Sequence, residues 1–169
     1  MVDRHRDGYH RVTAWIQRVK IPNSVLISRP FRVVAPKVIP RMHRTLNRLS
    51  GGRLFDTKAN PMCLLVTTGA RSGQRRETPL AVVPLDDDRL LVVGSNFAAD
   101  NHPAWTFNLL AHPDATVTFR GDTYPVRARL LTGEERDARC DELLAWYPNW
   151  RNYSEISQRE FRIFELSRV

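Results

Sequence analysis

From Pro61 onward the apolar residues of the chain fall into short runs rich in Val and Leu, separated by turn residues. Runs at 62–68 (MCLLVTT), 79–85 (PLAVVPL) and 89–95 (RLLVVGS) have the length and composition of strands. Asp86-Asp87-Asp88, between the last two, reads as a hairpin turn. Segment 103–110 is predicted helical, with Pro103 near its first turn and His112-Pro113 as its stop. Two further strands, 115–119 and 123–132, flank a tight turn at Gly121, so Arg120-Gly121-Asp122 is hairpin chemistry. A helix follows, with Thr132 as candidate cap, Glu134 and Glu135 in its first turn, and an apolar stripe of Leu143, Leu144 and Tyr147. A strand at 162–167 completes the pattern.

Strands joined by hairpins with few crossovers make an antiparallel sheet, and six short strands suit a barrel that leaves no open edge. Ahead of them, Pro22, Pro30, Pro36 and Pro40 break any long helix. A shorter amphipathic helix is predicted over 35–50. Val38, Ile39, Met42, Leu46 and Leu49 form its apolar side, Lys37, Arg41, Arg44 and Arg48 occupy other faces, and Gly51-Gly52 ends it. The chain divides into a basic arm, residues 1–50, and a barrel domain, residues 51–169.

At 169 residues, 42% hydrophobic and 26% charged, the chain has the make-up of an ordinary globular domain with one core. Its charge is uneven: residues 1–50 hold eleven Lys/Arg against two Asp, a net of +9, while the whole chain is +8 and residues 51–169 sum to −1. A basic arm attracts phosphates, nucleic acid or an anionic membrane. The near-neutral remainder argues against nucleic acid, whose phosphates would be met across the folded surface. Peripheral membrane contact through residues 1–50 stays open beside a merely solvated basic face. No apolar run reaches the roughly 18–20 residues of a membrane span, and no apolar stretch follows the charged first ten residues as in a secretory signal. Two distant cysteines, Cys63 and Cys140, fit a reducing cytoplasm rather than a disulfide scaffold or a metal site.

Three stretches carry candidate chemistry. The first, Thr67-Thr68-Gly69-Ala70-Arg71-Ser72-Gly73-Gln74-Arg75-Arg76-Glu77-Thr78-Pro79, joins two strands with two glycines, four hydroxyls and three arginines. Glycine lets backbone N–H groups turn toward an anion, and arginine adds a planar fork for phosphate or carboxylate. The stretch reads as a phosphate cradle or as a solvated polar hairpin, and it lacks the Gly-Lys-Ser/Thr of a Walker loop. In the second, strand end Gly94-Ser95-Asn96 runs through His102-Pro103 into a helix bearing Trp105, Phe107 and Asn108. Backbone amides there suit the edge of a heterocycle, with Trp105 either a flat face for it or plain core. The third holds Tyr147, Trp150 and Tyr153 three apart, in what reads as a loop that packs on the core or lines a pocket. Hydrolytic and metal-site signatures are missing from the sequence. A chain with binding parts and no evident acid, base or nucleophile suits an enzyme whose cofactor supplies the reactivity.

Taken together, LLVTTGARSGQRRETPL, LLVVGSNFAADNHPAWTFNLLAHPDATV, DTYPVRARLLTGEER and WYPNWRNY with FRIFELS resemble the deazaflavin-dependent nitroreductase family of actinobacteria, over about residues 40–169. The resemblance implies a six-stranded antiparallel split β-barrel of FMN-binding type with flanking helices, holding the deazaflavin coenzyme F-420. It places Ala70, Arg71 and Ser72 at the cofactor's phosphate and acidic tail, with Arg76, Glu77, Thr78, Pro79, Leu80 and Ala81 on the far side of that loop. Gly94, Ser95 and Asn96 match the strand end at the deazaflavin ring, and Ala104, Trp105 and Asn108 the helix that supports it. Tyr147, Trp150 and Tyr153 match the acceptor pocket, Trp150 also bordering the cofactor. Asn96 stands where many relatives have Lys, Trp150 where a Tyr is common, and Phe97-Ala98 where some have Gly-Gly.

The activity expected is hydride transfer from reduced coenzyme F-420 to an electron-poor quinone, enone or nitroaromatic, with Ser95, Tyr147 and Tyr153 as candidate proton donors. An FMN-binding oxidoreductase on the same barrel is the nearest alternative, and a non-catalytic cofactor- or anion-binding protein the next.

Overall fold

The computed structural model describes residues 61–157 and 159–169, together with Ser28, Pro30, Val34 and Val38. The helix expected over 35–50 and the rest of the basic arm lie outside the described residues, apart from those four. Six strands close a barrel: β1 (Met62–Thr68), β2 (Arg75–Pro84), β3 (Arg89–Val93), β4 (Asp114–Phe119), β5 (Asp122–Leu131) and β6 (Ile163–Arg168). Their order around it is β1-β2-β3-β6-β5-β4, and every pairing is antiparallel. The mainly β, closed antiparallel barrel with flanking helices is the one the sequence pattern predicts.

Strand alternation sorts the apolar residues into two layers. Leu65, Val82, Leu90, Val92, Val117, Val126, Phe164 and Leu166 fill the barrel interior. Neighbours of opposite parity, Val83, Leu91, Leu131 and Ile163, form a second cluster outside it, closed by Leu143. This is why 79–85 and 89–95 read as continuous apolar runs: both faces of those strands are covered. β5, covered on one face, alternates cleanly, with Tyr124, Val126 and Ala128 buried and Thr123, Pro125, Arg127 and Arg129 exposed.

Two hairpins follow their turn chemistry. Arg120 (φ 52°) and Gly121 (φ 93°) make a two-residue turn between the paired Phe119 and Asp122, the primed geometry that matches strand twist. At the acidic turn, Asp86 Oδ1 accepts the Asp88 N–H at 3.1 Å, and its other oxygen pairs with Arg89 at 2.6 Å.

The helices are α1 (Ala104–Ala111), α2 (Gly133–Ala138), α3 (Cys140–Trp146) and α4 (Asn149–Ile156). Three expectations are corrected. β2 begins at Arg75, four residues earlier than the apolar pattern, because Arg75–Thr78 pair with β1 despite their polarity. The helix expected after Thr132 is two helices meeting at Arg139. Its first part is held by the fork between Arg129 of β5 and Glu135 (two contacts of 2.6 Å), its second by the burial of Leu143. Thr132 stands at the cap position without a side-chain capping bond. The aromatic triplet is a loop only at Tyr147, between α3 and α4: Trp150 and Tyr153 lie on α4 at i, i+3 and so share a face.

Candidate functional site

The β1–β2 connection is shorter than its polar sequence indicates. Gly69 N–H donates to Gln74 O and Gly73 N–H to Gly69 O, both at 2.8 Å, closing a turn over 69–74. Gly69 is required by close approach, since a Cβ there would lie 2.6 Å from Ser72 Oγ and 3.2 Å from Gln74 O. Ala70, Arg71 and Ser72 sit exposed at the tip. Arg76, also exposed, donates from Nη2 to Ser72 Oγ at 3.3 Å, and Arg75 pairs with Glu77 at 3.6 Å. Beyond the turn, strand alternation divides the expected contact residues. Thr78 shares the face of Leu80, which packs on the barrel interior, while Pro79 and Ala81 share the face of Glu77 and Val83.

The β3 end is equally tight. Gly94 N–H donates to Arg162 O at 2.8 Å, and a Cβ on Gly94 would come within 2.8 Å of Thr106 Cγ2. After Ser95 the chain makes a 3₁₀ turn, Asn96–Ala98, whose φ angles of 49°, 54° and 55° are all left-handed. L-residues in that region cost about 1–2 kcal/mol each, with Asn the best tolerated, so this turn needs support. Local support comes from Ala98 N–H to Ser95 O (2.9 Å), Ala99 N–H to Asn96 O (3.0 Å) and Asn96 Nδ2 to Asn101 O (2.9 Å). Ala98 is fully buried with Tyr153 and Phe161.

Further support comes from a residue that the sequence pattern does not single out. Arg159 donates from Nη2 to Ser95 O (2.9 Å), from Nη1 to Gly94 O (3.2 Å) and from Nε to Ala99 O (3.0 Å). Its Nη1 also lies 3.0 Å from His102 Nδ1. A guanidinium only donates, so His102 Nδ1 accepts and the ring proton sits on Nε2. Burial, then the nearby Arg159 and Arg162, hold the His102 pKa below the ordinary imidazole value. Burial and Arg162 likewise lower the Arg159 pKa, and Phe161 lies under its guanidinium with the ring centroid at 5.0 Å. Within Ser157-Gln158-Arg159-Glu160 the residue reads as one more solvated charge; the available signal was its place two residues before Phe161 at the entry to a core strand.

Helix α1 joins the two segments. Trp105 and Leu109 face the barrel core, Trp105 packing on Phe164 at 5.7 Å between ring centroids. Thr106 and Asn108 flank that face on opposite sides, as i, i+2 positions on a helix must. On one flank Thr106 touches the Gly94 backbone, and its Oγ1 accepts from Arg162 at 3.1 Å. On the other, buried Asn108 donates to Thr67 Oγ1 at 2.9 Å and accepts the Ala70 N–H at 3.0 Å. Both polar atoms of Asn108 are therefore engaged by the protein, and Trp105 is core. Ala104 is exposed on the far side of α1.

The third stretch separates into roles. Tyr147 donates its hydroxyl to Pro61 O at 2.7 Å, tying the end of α3 to the start of β1. Trp150 stacks on Tyr147 at 4.8 Å and touches the clusters on both of its sides. Tyr153 is buried, and burial pushes its hydroxyl pKa up, so the phenol is protonated at neutral pH. A cavity of about 340 Å³ lined by Arg136, Ser154, Ser157, Arg159, Glu160 and Phe161 contains none of the predicted site residues. Cys63 is buried and so lacks the exposure of a reactive thiol, and burial raises the Cys140 pKa, the opposite of what a reactive thiol needs.

The arrangement fits a flat coenzyme with an acidic tail. Exposed guanidinium groups border one glycine-tight turn, and one rigid helix fixes that turn and the Gly94 strand end. The backbone expected there for a heterocycle's edge is partly taken: Gly94 N–H goes to Arg162 O, and the Gly94 and Ser95 carbonyls accept from Arg159.

Residues 39–167 match the family model described as F420H(2)-dependent quinone reductase. An F420H(2)-dependent quinone reductase of Mycobacterium tuberculosis is 32% identical over 99 residues, covering 57% of this chain and 66% of that protein's length. The solved F420-H2 dependent reductase FDR-A is 32% identical, with a TM-score of 0.58 over 63% of this chain and 94% of that one. A chain solved as a domain-swapped dimer is 30% identical, with a TM-score of 0.61 over 75% and 94%. The chain belongs to the F420H(2)-dependent quinone reductase family.

Proposed function

We propose that this protein transfers a hydride from reduced coenzyme F-420 to a quinone-type acceptor. The observation that carries the reading is the α1 strut, which holds the arginine-bordered turn through Asn108 and the Gly94 strand end through Thr106. Reduced F-420, when bound, supplies the hydride. Arg71 and Arg76 bind its phosphate and acidic tail by charge-assisted hydrogen bonds, with Ala70 and Ser72 at the same turn. Gly94, Ser95 and Asn96 orient the ring edge, and α1 keeps that segment from yielding. Trp150 and Tyr153 wall the acceptor side and exclude water. Ser95 and Tyr153, the latter protonated at neutral pH, are the candidate donors of the accompanying proton. Tyr147 acts as a brace, since its hydroxyl donates to Pro61 O.

The acceptor reading follows the family's name. The FMN alternative uses the same barrel, and the family match favours the deazaflavin. Among the described residues no helix is long and apolar enough to cross a membrane. We place the protein in the cytoplasm, with the basic arm of residues 1–50 making peripheral contact with anionic lipid. Co-sedimentation of the full chain with anionic vesicles, lost at high salt, is the expected result.

The activity is tested by anaerobic mixing with reduced F-420 and a panel of quinones, enones and nitroaromatics. Acceptor-dependent appearance of oxidised F-420 absorbance with the quinones supports the reading. Oxidation no faster than the protein-free control across the panel overturns it.

A further inference from the structure

The turn Asn96–Ala98 presents a physical problem that its own hydrogen bonds do not solve. Three successive residues with side chains hold left-handed φ angles, and the segment follows directly on the strand end that the reading above gives to the coenzyme's ring. Relaxation of any of the three would swing Ser95 and Asn96. The groups that prevent this converge from the far end of the chain. The fork of Arg159 reaches the carbonyls of Gly94 and Ser95 before the turn and that of Ala99 after it. One planar cation thus brackets the strained residues on both sides, and Phe161 beneath it fixes its plane. A lysine ammonium, a point donor on a flexible stem, cannot span the same set.

We infer that Arg159 is the positioning residue for the coenzyme-facing turn, and that His102, which accepts from the same guanidinium, makes its grip weaken in acid. The inference rests on the proposed function, because only there do Gly94–Asn96 meet the ring. The charged groups facing His102 are Arg159 and Arg162, Asp100 acts on Arg159 from the opposite sign, and the Phe107 ring packs edge-on at 6.1 Å. Protonating His102 removes the lone pair that Nη1 uses and sets a third cation beside two arginines. Nη1 is then left with the longest of the three carbonyl contacts, 3.2 Å to Gly94 O.

The test uses the full chain as wild type, Arg159→Lys, His102→Gln and Arg159→Lys combined with Ala98→Gly. Glycine is at ease in the left-handed region that Ala98 occupies, so it should restore part of what Arg159→Lys loses. Amide hydrogen exchange at Ala98 and Ala99 reads the turn without ligand, and fluorescence titration with oxidised F-420 at pH 8 and pH 5.5 reads its consequence. Arg159→Lys should quicken both amides and weaken F-420 binding about tenfold at pH 8, the size of one charge-assisted bond. Ala98→Gly in that background should recover part of both. His102→Gln should keep the pH 8 affinity and lose less of it at pH 5.5 than wild type does, the coenzyme's own titration being common to both. Unchanged exchange and affinity in Arg159→Lys overturn the inference while wild-type binding leaves the proposed function standing. Faster exchange with unchanged affinity overturns it too, by showing that the turn is not the coenzyme's seat. Failure of wild type to bind F-420 overturns the proposed function itself, and the exchange data still decide whether Arg159 holds the turn.

Discussion

Asn108 and Ala70 stand 38 positions apart in the chain, yet the Asn108 carboxamide oxygen accepts the Ala70 N–H at 3.0 Å. The same side chain donates to Thr67 Oγ1 at 2.9 Å, so one buried amide fixes the turn that the sequence marks as an anion cradle. Asn108→Ala leaves a buried hydroxyl and a backbone N–H without that partner, which costs about 1–3 kcal/mol. Urea unfolding should show that loss, and F-420 titration should show weaker binding as the turn loosens.

Arg71 and Arg76 are exposed and contribute little to the fold. Replacing both with Ala should leave the melting temperature within a degree or two, since exposed substitutions away from special features change stability by about 0.5 kcal/mol or less. Affinity for F-420 should fall by about 100-fold, two charge-assisted hydrogen bonds at roughly 1.5 kcal/mol each. Equal affinity in the double variant and wild type would remove these residues from the site.

Gly94→Ala places a Cβ 2.8 Å from Thr106 Cγ2, beside backbone that cannot easily move. Overpacking of this kind costs about 1–3 kcal/mol. Thr106→Ser removes the offending methyl and keeps the hydroxyl that bonds Pro103 O and Arg162. The double variant should therefore recover part of the loss, a coupling that chemical denaturation of the four proteins measures directly.

The two tyrosines should behave differently. Tyr147→Phe loses the bond to Pro61 O, costing about 1 kcal/mol of stability with little change in turnover per folded molecule. Tyr153→Phe should lower kcat by about 100-fold, the low end of general-acid contributions, while F-420 affinity holds.

The fold was legible because the barrel strands carry its pattern on their faces: Tyr124, Val126 and Ala128 alternate with exposed partners, and Arg120-Gly121 fits one turn type. What escaped the pattern was polar sequence with a structural job. Arg75–Thr78 look like loop and are strand, because pairing with β1 satisfies their backbone and their side chains stay at the surface. The break at Arg139 leaves no composition signal, since both flanking segments favour helix. At the site, the Arg–Gly turn and the Gly94 strand end were readable from residue type. Arg159 was not, because its partners are backbone carbonyls about 60 residues away, and carbonyls have no sequence signature. The left-handed turn was not legible either, since all three of its residues, Asn96, Phe97 and Ala98, carry side chains and none is glycine. The equal standing first given to Tyr147 and Tyr153 dissolves in the structure, where one hydroxyl braces β1 and the other belongs to a buried, protonated phenol.

Stability should also report on His102. Its folded pKa lies below the ordinary value, so the unfolded chain takes up the proton more readily. The contribution is present in full above about pH 7 and is lost as pH falls through roughly 6.5, the unfolded imidazole value. Unfolding free energies at pH 8, 7, 6 and 5.5 should therefore decline into acid, and His102→Gln should flatten the decline between pH 7 and 6. Parallel curves for the two proteins would contradict the assignment.

The central claim, a turn and a strand end built for a deazaflavin, is tested most directly by titrating the purified full chain with F-420 and, separately, with FMN. The account predicts saturable F-420 binding about tenfold tighter than FMN, which has a phosphate for these arginines but lacks the acidic tail and its charge-assisted bond. Tight FMN binding with no response to F-420 would contradict it.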